Sequence, residues 1–333
     1  MSSILNVAIH ASQFPEQVRR DLHESLRTGR VNHKFHYDSI KQTQKWLALF
    51  QAYSPASTDP DGQAIYERSF VAVERRLRPR RVHVVGLGCG AGHKDALLLK
   101  VLTGVGREVF YTPADVSSAM VLYARQAALA SIPEHACRPL VCDLATTRDL
   151  RNLLETLCAP GAIRVFTFFG MIPNFEPKLI MPKLANLVRP HDLLLLSANL
   201  APGRNYRAGV QRILPLYDNA LTRDWLMAFL LDLGVDPGDG DLRFRVEAAP
   251  DRSGLQRVVA RFYFRQRREL QVDQEHYLFS PGDSIRLFFS YRHTPARIRR
   301  LLGRQGLRVM DAWITRSQEE GVFLVGRPFE TMC

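Results

Sequence analysis

The residues best placed to do chemistry lie in Arg81 to Gly92, RVHVVGLGCGAG, where a short apolar run breaks into glycines at every second position. Val82, Val84 and Val85 read as a buried β-strand, and Gly86, Gly88, Gly90 and Gly92 read as the turn that leaves it for a helix. Glycines there let the backbone bend sharply and let a phosphate or nucleotide approach the main chain, as in doubly wound α/β sheets. Two acids strengthen the reading. Asp115 in FYTPADVS and Asp143 in PLVCDLA each close an apolar run, which puts each at the carboxyl end of a following strand, where such sheets bind ligands.

The ligand is open between two classes at this level. Gly86-x-Gly88-x-x-Ala91 satisfies the dinucleotide fingerprint, so NAD is one candidate. An acid after the second strand, here Asp115, serves ribose hydroxyls in NAD and in S-adenosylmethionine enzymes alike. An acid after the third strand, here Asp143, favours S-adenosylmethionine, whose adenine amino group is commonly read there. Methyl transfer from a sulfonium is an in-line displacement. It needs an unprotonated nucleophile on the methyl axis and a dry pocket, and neither a metal nor a covalent nucleophile. Other constellations are thin. His33-x-x-His36 puts two imidazoles on one helical face, but no further ligand follows at a familiar spacing, so they read as packed or solvated histidines and no metal is expected. Cys89, Cys137, Cys142, Cys158 and Cys333 contain no CxxC pair and read as free thiols of a reducing cytoplasm.

The elements that must position these groups follow from hydrophobic period. After the strand at Arg81–Val85, helical patterns at 94–103, 118–130, 148–157 and 178–187 alternate with strands at 109–114, 137–142, 163–169 and 192–197. That order implies a Rossmann-like doubly wound, mostly parallel sheet with helices on both faces. Residues 1–60 read as amphipathic helices, and YSPASTDPDG (53–62) as a linker. Past Ala201 the rhythm changes to Leu-rich helices over 210–233 and then to strands at 242–248, 257–266 and 284–291, before a helix at 294–305 and a closing pair at 308–314 and 321–325. The expected division is a substrate-binding α+β domain of 1–62 plus 205–292, packed over the ligand edge of a cofactor-binding domain of 63–204 plus 293–333.

The 333 residues carry a formal charge of +12, its arginines concentrated in 75–81, 265–268 and 292–308. A nucleic-acid partner is one explanation, but no basic stretch is interleaved with aromatics, and Arg297, Arg300, Arg304 and Arg308 recur at the spacing of a solvated helix face. No basic leader followed by an apolar core opens the sequence, and no apolar run reaches the roughly 18 residues of a membrane span. A cytoplasmic protein without a membrane partner is expected; nothing in the sequence sets its oligomeric state.

Nine segments, in order, resemble the histidine-specific methyltransferase family of the ergothioneine pathway, a family that also contains fungal enzymes N-methylating a prenylated tryptophan. They are VRRDLHESL (18–26), KFHYDS (34–39), AYSP (52–55), GLGCGAGHK (86–94), YTPADVS (111–117), VCDL (141–144), FFGMIPNFEP (168–177), LPLYDNALT (214–222) and FSPGDSIRLFFSYRHT (279–294). FFGMIPNFEP, which resembles the family's FLGSTIGNFTP, is the most specific. The resemblance implies a Rossmann-like class I methyltransferase domain interrupted by a substrate domain. It implies that the glycine turn (Gly86, Gly88, Gly90), Lys94, Asp115, Asp143 and Leu144 hold S-adenosylmethionine. It also implies that Tyr37 and Tyr53 line the amine pocket, that Asn174 and Tyr217 grip a substrate carboxylate, and that Ser290 lies near the substrate side chain.

Two departures stand out. The family's histidine enzymes carry a glutamate two residues before that serine, where this chain has Phe288. A cationic or imidazole group would lose its partner there, and a buried unpaired charge costs several kcal/mol. The acid that methyltransferases in general place before the first loop glycine is Gly86 here. The reading is an S-adenosylmethionine-dependent N-methyltransferase of an amino acid or amino-acid-derived amine other than histidine, in secondary metabolism. An RNA or protein methyltransferase, or an inactive cofactor-binding homologue, is the alternative.

Overall fold

The structure, a computed structural model, describes residues 4–54, 58–78 and 80–328. Cys333, Pro55 and the centre of the 53–62 linker lie outside the described residues. The chain forms two compact units: residues 1–13, 55–200 and 293–333 in the first, and 14–54 with 201–292 in the second.

Strands β1 (Ala8–Ile9), β2 (Arg81–Leu87), β3 (Glu108–Asp115), β4 (Leu140–Val141), β5 (Ile163–Phe168) and β6 (Leu193–Asn199) belong to the first unit, β7 (Gly240–Ala248), β8 (Gln256–Phe264), β9 (Arg268–Val272), β10 (Glu275–Phe279) and β11 (Ser284–Arg292) to the second, and β12 (Arg308–Ile314) and β13 (Glu320–Gly326) to the first again. The first unit is an eight-stranded sheet in the order β1-β4-β3-β2-β5-β6-β13-β12. All pairs from β1 to β6 are parallel, and β13 runs antiparallel to both neighbours. The order reverses at β2, so the ends of β2 and β5 open the crevice in which such sheets bind ligands.

The strand sequences explain the layers. In β6, Leu194 and Leu196 pack with Leu87, Phe166 and Phe168 on one face, while Leu193 and Leu195 pack with Val82, Val84 and Tyr111 on the other. A strand that buries both faces reads as an unbroken apolar run, as LLLL does here. At the start of the helix His93–Gly104, Gly92 has φ +73°, and a Cβ there would lie 2.6 Å from the Cα of Ala124 in the helix Ser118–Ala128. The last glycine of the run is therefore spent on helix packing.

The second unit has a three-stranded antiparallel sheet, β11-β8-β7, and a separate β9–β10 hairpin. Helices Pro15–Thr28, Ile40–Tyr53, Tyr206–Ile213 and Ala220–Asp232 complete it. A β-bulge separates Arg286 from Phe288 in β11. Through it the adjacent Leu287 and Phe288 both enter the core with Trp225 and Phe262, and Phe289 falls into a second cluster with Tyr291.

Three readings of the sequence need correction. The N-terminal stretch is not wholly helical, because β1 pairs with β4 at the sheet edge. The strand expected over 137–142 is regular only at Leu140–Val141. The β9–β10 hairpin went unread: its turn places Asp273 at φ +54° without the glycine that usually marks such a turn. In the basic run 265–268, Arg265 pairs with Asp241 and Arg268 with Asp239, so these charges support the fold.

Candidate functional site

In the first unit the main chain leaves β2 through Gly88 (φ +64°) and Gly90 (φ +52°), and the amides of Gly88 and Cys89 donate to the Ala114 carbonyl at 2.8 and 3.1 Å. The loop is thereby tied to the end of β3. Asp115, the last residue of β3, holds it from the side. Its Oδ2 accepts from the Gly90 amide at 3.0 Å and its Oδ1 from the Ser117 amide at 3.0 Å. Burial raises the Asp115 carboxyl pKa, and these two amide donors oppose the shift.

Asp143 follows β4. Its amide donates to Ser12 Oγ at 2.9 Å and its Oδ1 accepts from the Ala145 amide at 2.8 Å. Its Oδ2 is buried with no hydrogen-bond partner among the described residues. A buried carboxylate oxygen left open is costly unless a donor arrives, and an exocyclic amino group is such a donor. Leu144 is buried beside it. Lys94 turns elsewhere: its ammonium donates to Tyr66 Oη at 2.8 Å and lies 3.9 Å from Glu320. These residues fit S-adenosylmethionine: a close-approach glycine loop, a carboxylate beside it, and an unsatisfied acceptor next to an apolar side chain.

In the second unit Tyr217 Oη lies 2.8 Å from Ser290 Oγ and accepts from Arg292 Nη2 at 2.9 Å, and the Arg292 guanidinium also stacks over the Tyr217 ring. Ser290 and Arg292 are buried. Phe288, 7% exposed, has its ring 5.5 Å from His33, 5.8 Å from Trp225 and 6.1 Å from Tyr217. Tyr37 stands between Trp46 and Trp225, at 5.9 and 5.5 Å. Tyr53 ends its helix half exposed. Asn174 closes the short turn Ile172–Asn174 in the first unit, whereas Tyr37, Tyr53, Tyr217, Phe288 and Ser290 all belong to the second.

His33 and His36 are packed rings. His33 lies edge-on to Phe289 with its ring nitrogens buried, and His36 donates from Nε2 to the Leu287 carbonyl at 2.7 Å. Burial lowers their pKa values to about 3 and about 4, so both are neutral at physiological pH. No group of residues suited to a metal occurs among the described residues. Unfolded, these rings take up protons below about pH 6.5; folded, they do so only near 3 to 4. Stability present above pH 6.5 is therefore expected to fall as the solution is acidified through that window. Urea midpoints at pH 7 and pH 5 measure this, and His33→Phe is expected to shallow the slope.

Sequence reasoning missed Ser12, Arg292 and the buried acid Asp95. Ser12 reaches Asp143 from far upstream, and Arg292 sat within a basic run that reads as surface charge. Asp95, in the first turn of its helix, looks like an ordinary complement to the helix dipole.

A doubly wound sheet with a glycine turn at its switch point, an acid closing the second strand of the wind and an open acid after the third defines a Rossmann-like, S-adenosylmethionine-dependent methyltransferase. The model of the family described as histidine-specific, SAM-dependent methyltransferases matches residues 18–327, and the chain belongs to that family. No curated protein matches the sequence. Among solved structures, the chain is similar to magnesium protoporphyrin IX methyltransferase from Synechocystis, with 14% identity, 87% of this chain and 95% of that chain covered, and a TM-score of 0.43. It is also similar to the CcbJ methyltransferase from Streptomyces caelestis (15%, 83% and 98%, 0.40). A third is CalS10, an amino pentose methyltransferase from Micromonospora echinaspora (13%, 79% and 92%, 0.37). These likenesses are too distant to bear on substrate. No helix among the described residues is long and apolar enough to cross a membrane.

Proposed function

We propose that the protein N-methylates a small amino acid, or an amine derived from one, whose side chain is neutral and aromatic, and that histidine is not its substrate. The observation that supports this most is Phe288. It stands where the family's histidine enzymes place a glutamate, buried against His33, Trp225 and Tyr217. Near it the Arg292 cation is held on Tyr217. A cationic side chain would meet repulsion from Arg292 there, whereas an aromatic ring would meet other rings edge to face.

The remaining roles follow the family register, except that Lys94 and Ser290 are read from their contacts with Tyr66 and Glu320 and with Tyr217. Asp115 binds the ribose hydroxyls, and Asp143 with Leu144 receives the adenine. The turn at Gly86, Gly88 and Gly90 admits the cofactor, with Lys94 fixing the first turn of the following helix through Tyr66 and Glu320. Tyr217 and Asn174 orient the substrate carboxylate, Ser290 steadies Tyr217, and Tyr37 and Tyr53 face the amine. The bound cofactor supplies an activated methyl group, and the chain's own work is to hold a deprotonated nitrogen on the methyl axis and keep water out. The test is mass spectrometry of products after incubation with S-adenosylmethionine and a panel of free amino acids, indole derivatives, RNA and protein. Methylated aromatic amine, formed equally at low and high salt, supports the reading. Methylated histidine as the main product, or methylation confined to a polymer, contradicts it.

A further inference from the structure

We propose that Asp95 is the acid of the cofactor site, supplied from the helix after the glycine turn in place of the strand-end side chain that Gly86 lacks. Near the end of β2, where methyltransferases in general carry an acid, a Cβ on Gly86 would lie 2.2 Å from Asp95 Oδ2, 3.0 Å from Tyr111 Oη and 3.1 Å from Cys89 Cβ. The volume of the missing side chain is already filled, and the atom that fills it is a carboxylate oxygen. A side chain at 86 and this placement of Asp95 exclude each other.

The carboxylate is built in. Asp95 Oδ2 accepts from Tyr111 Oη at 2.7 Å and Oδ1 from Thr167 Oγ1 at 2.7 Å, so β3, β5 and the helix converge on it beneath the turn. An acid serving only the helix dipole belongs at the surface, yet Asp95 is 3% exposed. Burial raises its pKa to about 6, against the pull of the two hydroxyls and of Lys94. The Lys94 ammonium is itself directed to Tyr66 and Glu320. A buried carboxylate compensated mainly by neutral hydroxyls is expensive for the fold, and such groups gather where an incoming charge repays them. The cofactor brings that charge in its ammonium-bearing tail. Asp95 is thus a cofactor-binding residue, and the inference rests on the cofactor assignment alone, not on the substrate proposed above.

The test compares S-adenosylhomocysteine with 5′-methylthioadenosine, which keeps the nucleoside and sulfur but lacks the ammonium. Asp95→Asn is isosteric. It is expected to weaken S-adenosylhomocysteine about tenfold while 5′-methylthioadenosine changes less than about twofold. Equal loss of both, as a merely structural support of the loop would give, overturns the proposal, as does no loss of either. The wild-type protein gives a second reading that needs no variant. Between pH 5 and pH 8 the preference for S-adenosylhomocysteine is expected to rise through about pH 6 as Asp95 ionises. Tyr111 and Cys89 are held neutral by burial across that range, and burial lowers the Lys94 pKa while Glu320 and Asp95 oppose the shift. Asp115 faces the nucleoside common to both ligands, so its titration cancels in the ratio. A pH-independent ratio overturns the proposal. Absence of wild-type binding to either ligand would instead strike the cofactor assignment beneath it.

Discussion

Asp115→Asn is expected to weaken S-adenosylhomocysteine binding by about ten- to a hundredfold. The carboxylate stands at the end of β3 with one oxygen on the Gly90 amide and the other on the Ser117 amide. An asparagine must turn its NH2 toward one of those N–H groups, so one loop contact is lost whichever way it flips. The ribose hydroxyls lose an ionised acceptor as well. The loop contact is present in the free protein too, so the affinity change is set by the ribose contact; a hydrogen bond to a charged group contributes about 1.5–3 kcal/mol, about ten- to a hundredfold in affinity. Because burial already raises the Asp115 pKa, neutralising it spares a desolvation cost, and the melting temperature is expected to hold. Calorimetric titration beside a melting curve separates the two effects. Unchanged affinity would remove Asp115 from the cofactor site.

The second large effect concerns the acceptor. Phe288→Glu is expected to narrow the preference for tryptophan-like over histidine-like amino acids at least about tenfold. The new carboxylate would stand beside His33, Trp225 and Tyr217 and offer an imidazolium the partner it lacks. It would also enter an apolar cluster, so the variant is expected to melt lower than the wild type. Affinities measured in the presence of S-adenosylhomocysteine read the change directly. A variant that loses both acceptors in equal proportion would show Phe288 to be core alone.

The parts of the molecule legible in its sequence are those governed by short-range pattern. The unbroken apolar strand LLLL, the alternating glycines and the acids closing apolar runs each carry their meaning locally, and the sheet follows from their order. What escaped depends on contacts across the chain. Ser12 meets Asp143 only because a two-residue strand adds to the sheet edge, and no period marks two residues. The bulge in β11 brings the adjacent Leu287 and Phe288 into one cluster, although strand alternation places neighbouring residues on opposite faces. Gly86 reads as a lost acid in the sequence, whereas in the fold Asp95 Oδ2 fills the space a side chain there would take. Arg292 read as surface charge, yet it is buried on Tyr217.

The most direct test of the account is a two-stage calorimetric titration of the full chain. S-adenosylhomocysteine is added first, followed by tryptophan, phenylalanine, tyrosine and histidine in turn. The account predicts saturable binding of the nucleoside, then binding of an aromatic amino acid more tightly than histidine. No binding of S-adenosylhomocysteine, or histidine as the tightest acceptor, would contradict it.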